Sequence, residues 1–370
     1  MQTKANALRW EWNEKFLFTG FLLKGNNLII KKIKRARRYI SNFVQTTINI
    51  NILQIITTEP VREKQGSFAL CLAIRSWIVS PPNENNQKEI VWQAMGVHGV
   101  PIKARRDGYI IFEFEKSPQY IIDEIPLKFN YSPNSPETKR REVGDKRFKY
   151  MNAFLESFYS GYKILQHQSM SVQVPLSPIN YYTLRDGEPV KYHDKNPPVD
   201  PNRQDIIEAR TLDYCIKLME SCHKVFGDDF LEILSLPYIA SYQLTSHQFS
   251  AALIISWVVV EKIINKVWSL HQDELHNSGK AKMTGKRRDL LSGRDYSASV
   301  VSQILSITGK IDDAMLERLD NARKTRNNFV HGLTPINSKD AVDCIKISAD
   351  LISSITREQY STQTMLIGGL

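Results

Sequence analysis

The segment 326–332, RNNFVHG, contains the residue types best suited to chemistry in this sequence. The planar guanidinium of Arg326 can grip two oxygens of an anion, and the imidazole of His331 can move a proton near neutral pH. No other arginine precedes a histidine by four to six residues. The spacing therefore indicates a pair that could bind an anion and transfer a proton.

A helix must carry this segment, because apolar residues recur at helical spacing through Leu319, Ala322 and Val330. Arg326 lies in phase with that apolar face. Since an unpaired buried guanidinium is costly, we expect Arg326 to meet a carboxylate, a neighbouring subunit or a ligand anion. Gly332 is predicted to end the helix and to place His331 in its last turn, where the helix dipole stabilises positive charge.

Two interpretations of the pair are open at this point. In the structural one, Arg326 pairs with Asp320 or Glu261, and His331 caps the last carbonyls of its helix. In the catalytic one, Arg326 and His331 act together on a substrate, with Asn327 beside them.

The segment resembles the R-N-x-x-x-H signature of the HEPN superfamily of helical ribonucleases, and its final glycine is most similar to the ApeA-like branch of bacterial antiphage proteins. The resemblance covers roughly the last 160 residues. It implies a metal-independent endoribonuclease without a cofactor, with Arg326, Asn327 and His331 as its catalytic residues. It also implies a homodimer in which two motifs form one composite site, with Glu261 as a carboxylate that could orient Arg326 or His331.

The charge of the chain favours an anionic partner. Its formal net charge is +10, and one basic run, Lys280 to Arg294, lies in a connection between two predicted helices of the last domain. A charge run is also typical of a solvated face. We expect RNA to contact basic residues of this connection and of the motif helix. They are Lys286, Arg287, Arg288, Arg323 and Lys324.

The cysteines and histidines predict no metal site. Four cysteines without a CxxC pair argue against a disulfide framework and favour a reducing cytoplasm. His271 and His276 flank two acidic residues, but their spacing does not place both on one helical face. His98, His167, His193, His223 and His247 have no supporting constellation in the sequence. The first residues lack the apolar region of a signal peptide, and no apolar run is long enough to span a membrane.

The pattern of the chain predicts an α+β protein with a β-rich domain at residues 1–142, a helix and connection at 143–204, and a helical domain at 205–370, which the resemblance implies to be a HEPN domain. Up to about Asn130 the apolar runs are short and rich in β-branched and aromatic residues, which is typical of strands. The segment Pro175–Pro201 is interpreted as a linker or an ordered connection. The predicted helices are Gly144–Gln168, Ile206–Phe226, Asp229–Tyr242, His247–Leu270, Ser297–Ile307, Asp312–Gly332 and Ser338–Thr356.

Regulation is the least readable part of the sequence. By analogy with ApeA-like proteins, we expect the β-rich domain to sense a trigger, to inhibit the nuclease or to position RNA. The regulator could be a phage-derived component or an antitoxin. The main alternative is a non-catalytic helical module that binds RNA or a protein and uses the motif only to stabilise a dimer.

Overall fold

The structure, a computed structural model, describes residues 68–71, 77–80, 85–121, 136–167, 175–176, 182–185, 188–191, 206–292, 296–362 and 364. The strands expected before residue 68 lie outside these residues. The described strands and helices belong to one compact unit that spans Lys64–Leu370. Helices predominate, so the predicted mixed α+β class is confirmed, whereas the predicted domain boundaries stay a prediction.

The strands and helices are named in chain order. The strands are β1 (Phe68–Cys71), β2 (Trp77–Ile78), β3 (Ile90–Met95), β4 (Pro101–Arg105), β5 (Tyr109–Phe112), β6 (Tyr182–Arg185), β7 (Glu188–Lys191) and β8 (Ile206–Ile207). The helices are α1 (Pro136–Gln166), α2 (Ala209–Phe226), α3 (Phe230–Thr245), α4 (Phe249–Asn277), α5 (Gly285–Leu291), α6 (Ala298–Ile307), α7 (Asp313–Gly332) and α8 (Ser338–Thr356).

Six of the strands form one antiparallel sheet in the order β3-β4-β5-β1-β6-β7. Its last two strands, β6 and β7, come from the segment that the sequence indicates as a linker or ordered connection. Its described strands therefore form an ordered part of the sheet. The remaining pair, β2 and β8, is parallel. Tyr182 pairs with Ala69 of β1, which brings distant parts of the chain into one sheet.

Helix α1 packs on the sheet through an aromatic cluster. Phe154 lies edge-on to Phe112 at 5.3 Å, and Tyr150 lies edge-on to Phe114 at 5.6 Å between ring centres. Such tilted and edge-to-face pairs suit the charge distribution of aromatic rings. Because Tyr150, Phe154 and Phe158 are all fully buried, the sheet and the helices share one hydrophobic core.

Helix α4 is the central helix of the bundle, as its broad apolar pattern predicts. It contacts α3, α6, α7 and α8. Trp257, Val260 and Ile264 are buried along its length. The helix runs to Asn277, seven residues beyond its predicted end, because His271 and Gln272 continue its buried face. No described helix combines the length and the apolar character needed to cross a membrane.

Residues 357–362, which follow the end of α8 and which we call the closing segment, contact α1 and α2. The Lys163 ammonium donates to the carbonyl of Thr362 at 3.0 Å, and the backbone N–H of Ser361 donates to Ser160 Oγ at 2.9 Å. Lys217 pairs with Glu358 at 2.7 Å. The closing segment therefore supplies polar partners to two helices that lie far from it in sequence.

One buried acid lies under this segment. Glu156 is 1% exposed, and its Oε1 accepts a hydrogen bond from the Tyr360 hydroxyl at 2.6 Å. Its Oε2 has no hydrogen-bond partner among the described residues. Burial raises the pKa of Glu156 to about 8, although the Tyr360 hydrogen bond and Lys163 act in the opposite direction.

This acid predicts a pH-dependent stability. The folded protein binds a proton at Glu156 up to about pH 8, whereas the unfolded chain loses it near pH 4.5, the ordinary pKa of a glutamate. Unfolding therefore releases a proton between these pH values, so the free energy of unfolding falls as pH rises, by on the order of a few kcal/mol in total. We expect Glu156→Gln to flatten this slope in urea unfolding measured from pH 5 to pH 8.5.

The matched control is Glu317→Gln, because Glu317 is exposed on α7. That variant should keep the slope of the wild type. The glutamine at position 156 leaves part of its amide unpaired, so absolute stability can drop while the slope still reports the carboxyl group. An unchanged slope in Glu156→Gln contradicts the prediction.

Candidate active site

Helix α7 carries the segment 326–332 and is fixed by a cap and by its buried face. The Asp312 side chain accepts the backbone N–H of Met315 at 2.7 Å, which satisfies a free donor at the helix start. Leu319 and Ala322 are buried, and the helix contacts α4, α6 and α8. The predicted helix and its phase are therefore confirmed, and Arg326 follows on the same side as Ala322.

Arg326 is half-buried and has no acidic partner in the part of the chain that the structure describes. Its Nη1 donates to Oδ1 of Asn327 at 2.9 Å, while its Nε is buried without a hydrogen-bond partner. Among the described residues no carboxylate lies within ion-pair distance of Arg326. Asn327 thus contacts the guanidinium, and no described residue compensates its positive charge.

The two acids considered as partners of Arg326 are engaged elsewhere. Asp320 pairs with Arg323 at 3.3 Å, one turn along the same helix. Glu261 accepts a hydrogen bond from the indole of Trp257 at 2.7 Å, one turn along α4. No hydrogen bond or ion pair joins Glu261 to Arg326 or His331 in the described part of the chain, so the expected orienting role of Glu261 has no contact that supports it.

His331 is exposed in the last turn of α7 and makes no hydrogen bond to any described residue. The last carbonyls of the helix are satisfied otherwise: the N–H of Leu333 donates to the carbonyl of Phe329 at 2.9 Å. The imidazole is therefore not the helix cap of the structural interpretation. Leu333, and not Gly332 as the sequence indicates, adopts the left-handed conformation that ends the helix, with φ of 53°.

The helix alone does not direct the side chains of Arg326 and His331 toward one point. Five residues along an α-helix correspond to a rotation of about 140°. The half-buried Arg326 and the exposed His331 follow this geometry. A site that uses both side chains on one phosphate therefore needs a substrate that reaches around the helix end or a second copy of the motif.

The five basic residues predicted to bind RNA differ in their availability. Lys286 and Arg287 are exposed on α5, a helix that the sequence pattern did not predict, and Lys324 is exposed on α7. Arg288 pairs with Asp273 at 2.7 Å, and Arg323 pairs with Asp320. Lys286, Arg287 and Lys324 thus have no ion-pair partner among the described residues and remain available to an anionic partner.

A second polar constellation was missed by the sequence analysis. His98, His223 and Asp228 come from separate elements and lie together where the β3–β4 turn meets the end of α2. Their distance along the chain leaves no spacing signal. The other two histidines considered as metal ligands, His271 and His276, have separate partners. His271 lies 3.3 Å from Glu274, and His276 accepts the backbone N–H of Met283.

Neither protein-family models, curated proteins nor solved structures show a match to this chain.

Proposed function

We propose that this protein is a metal-independent endoribonuclease of the HEPN type, with Arg326, Asn327 and His331 as its catalytic residues. The observation that carries the proposal is Arg326: a half-buried arginine held by its neighbour Asn327, without a carboxylate partner among the described residues. A structural arginine in this position should be paired, because an uncompensated guanidinium is costly. A phosphate of the substrate is a partner that compensates it.

The chemistry uses a nucleophile that RNA itself carries. The 2′-hydroxyl loses its proton to a base, its oxygen bonds to the adjacent phosphorus, and the bond from phosphorus to the 5′-oxygen breaks. The 5′-oxygen gains a proton, which leaves a 2′,3′-cyclic phosphate and a 5′-hydroxyl. His331 transfers one of these protons, and Arg326 stabilises the added negative charge of the pentacoordinate transition state.

A homodimer supplies what one chain lacks. One copy offers one arginine and one histidine, and these point in different directions around α7. In a two-fold dimer through the end of α7, the motif of each copy faces the motif of the other, so two arginines and two histidines share one region. Leu333, which is 78% exposed directly after the motif, offers an apolar contact for such an interface.

Cleavage of RNA in EDTA tests the proposal directly. We expect total RNA and tRNA to be cut to fragments with cyclic-phosphate ends, while DNA of matched sequence stays intact because it lacks the 2′-hydroxyl. Cleavage should be measured in buffer and in extract from phage-infected cells, so that an activating signal is present. Cleavage of DNA, a strict need for metal in the chemical step, or intact RNA under both conditions contradicts the proposal.

The cellular role follows from the same resemblance. We propose that cleavage serves antiphage defence by abortive infection, in the cytoplasm, under the control of a phage-derived trigger or of an antitoxin. Expression of the wild type should then halt growth when the trigger is supplied or the antitoxin is absent, in parallel with loss of intact RNA.

A non-catalytic binding module is the second candidate, and one observation favours it. Within a single chain Arg326 and His331 are separated by about 140° of helix rotation, as fits two independent surface contacts. This candidate predicts RNA or protein binding through Lys286, Arg287 and Lys324 without cleavage. Binding that is lost at high salt while RNA stays intact would support it.

A further inference from the structure

His98, His223 and Asp228 form a group whose ligand atoms all lie within 4.8 Å of one another. His98 lies in the 3-10 turn Val97–Gly99 that follows β3. His223 belongs to the last turn of α2, and Asp228 to the 3-10 turn Gly227–Asp229 that comes next. The sheet and the bundle thus each contribute to the group, which shares no residue with the segment 326–332.

The separations between these atoms suit one small ion. His98 Nε2 lies 3.0 Å from Asp228 Oδ1, and His223 Nε2 lies 3.9 Å from the same oxygen. Two ligands of a tetrahedral zinc ion, each about 2.0–2.2 Å from the metal, are roughly 3.4 Å apart. The observed distances fall on either side of that value, so small side-chain rotations suffice to place an ion among the three atoms.

The imidazole of His98 is oriented in the way that metal-ligating histidines usually are. Its other ring nitrogen, Nδ1, lies 2.8 Å from the Tyr120 hydroxyl, and a partner of this kind fixes the tautomer and orientation of a ligating imidazole. The backbone of the turn is pinned as well, because the Ser117 hydroxyl donates to the His98 carbonyl and Tyr150 donates to the Val97 carbonyl. His98 itself has φ of 62°, a conformation that the surrounding contacts must maintain.

Charge and access are also compatible with a cation. The side chain of His98 is 4% exposed, whereas that of Asp228 is 71% exposed, so an ion can enter from the solvent side. Lys146 lines the adjoining cleft and opposes a cation, while the neighbouring Lys149 pairs with Glu232 at 2.9 Å, a carboxylate that Lys262 also contacts.

We propose that His98, His223 and Asp228 bind one divalent transition-metal ion, with zinc as the best match, and that this ion clamps the turn after β3 to the end of α2. Two imidazoles and one carboxylate are ligands of the type that zinc and its neighbours prefer over calcium or magnesium. Three protein ligands leave a fourth position toward the solvent-exposed side, for water or an anion. The clamp stabilises the junction of sheet and bundle and takes no part in the chemistry of α7.

Direct metal binding tests this proposal on the full-length chain. After treatment with EDTA and its removal, zinc titration by calorimetry should give one site per chain, and cobalt should give the visible absorption of a tetrahedral ion. His223→Ala and Asp228→Asn should each weaken zinc binding on the order of 100-fold. The side chains of His223 and Asp228 are 40% and 71% exposed, so these variants are expected to fold. His276→Ala is the matched histidine control with unchanged binding.

Thermal unfolding supplies an independent readout. Zinc should raise the unfolding midpoint of the wild type and of His276→Ala, and should leave that of His223→Ala unchanged, since only a ligand of the folded state stabilises it. Zinc binding that is absent in the wild type, or equally tight in the wild type, His223→Ala and Asp228→Asn, overturns the proposal. Addition of calcium or magnesium at equal concentration should cause no comparable shift.

Discussion

Substitution of His331 by alanine is expected to reduce the rate of RNA cleavage by about 10²- to 10⁴-fold, the usual contribution of a positioned acid or base. The fold should be unaffected, because His331 is exposed and makes no hydrogen bond to any described residue. Circular dichroism and unfolding midpoints should therefore match the wild type. The expected loss is one of rate, at equal affinity for RNA.

His276→Ala is the matched control for this experiment. His276 is also an exposed histidine in the last turn of a helix, and it belongs to α4. Single-turnover cleavage of a labelled RNA should proceed at the wild-type rate in His276→Ala. If His331→Ala cleaves as fast as His276→Ala, the histidine is not part of the chemistry and the binding-module interpretation takes precedence.

Mixing of two inactive variants is expected to restore cleavage if the site is composite. Arg326→Ala and His331→Ala each lack one group, and each keeps the group that the other has lost. A mixed dimer then contains one intact arginine and one intact histidine from opposite copies. With random exchange half of the dimers are mixed, so activity should return to on the order of a quarter of the wild type.

The subunits should be exchanged by mild denaturation and renaturation, and each variant treated alone is the control. Arg318→Ala is the matched arginine variant, because Arg318 lies on the same helix and forms an exposed pair with Asp350 at 2.7 Å. It should be active alone. A mixture of the two inactive variants that stays inactive, although exchange is verified by mass spectrometry, shows that arginine and histidine act from the same chain.

Local patterns could be predicted well from the sequence. The bounds of α8, Ser338–Thr356, agree with the expected ones, because its apolar residues recur at strong helical spacing. Asn337 caps its start, since its side chain accepts the N–H of Asp340. Helix α7 also agrees within one residue. Helix α5 was missed because its basic sequence has little apolar period, although Thr284 caps it by accepting the N–H of Arg287.

The contacts of the site residues also differ in whether the sequence could predict them. The partners of Asp320 and Glu261 lie one turn away on their own helices, so helical spacing already contained these contacts. The isolation of Arg326 could not be predicted, because it depends on which carboxylates the packing of α4 and α8 leaves out of reach. The group of His98, His223 and Asp228 depends on tertiary packing alone, so no spacing rule can find it.

The closing segment has a consequence for synthesis of the chain. Tyr360 contacts Glu156 across 204 residues, and Thr362 contacts Lys163 across 199 residues. Contacts of such long range form late, after the loops between them have closed. During synthesis on the ribosome, α1 and α2 lack these polar partners until residue 362 has emerged from the exit tunnel. A nascent chain therefore lacks the completed unit until the closing segment is available to pack on α1 and α2.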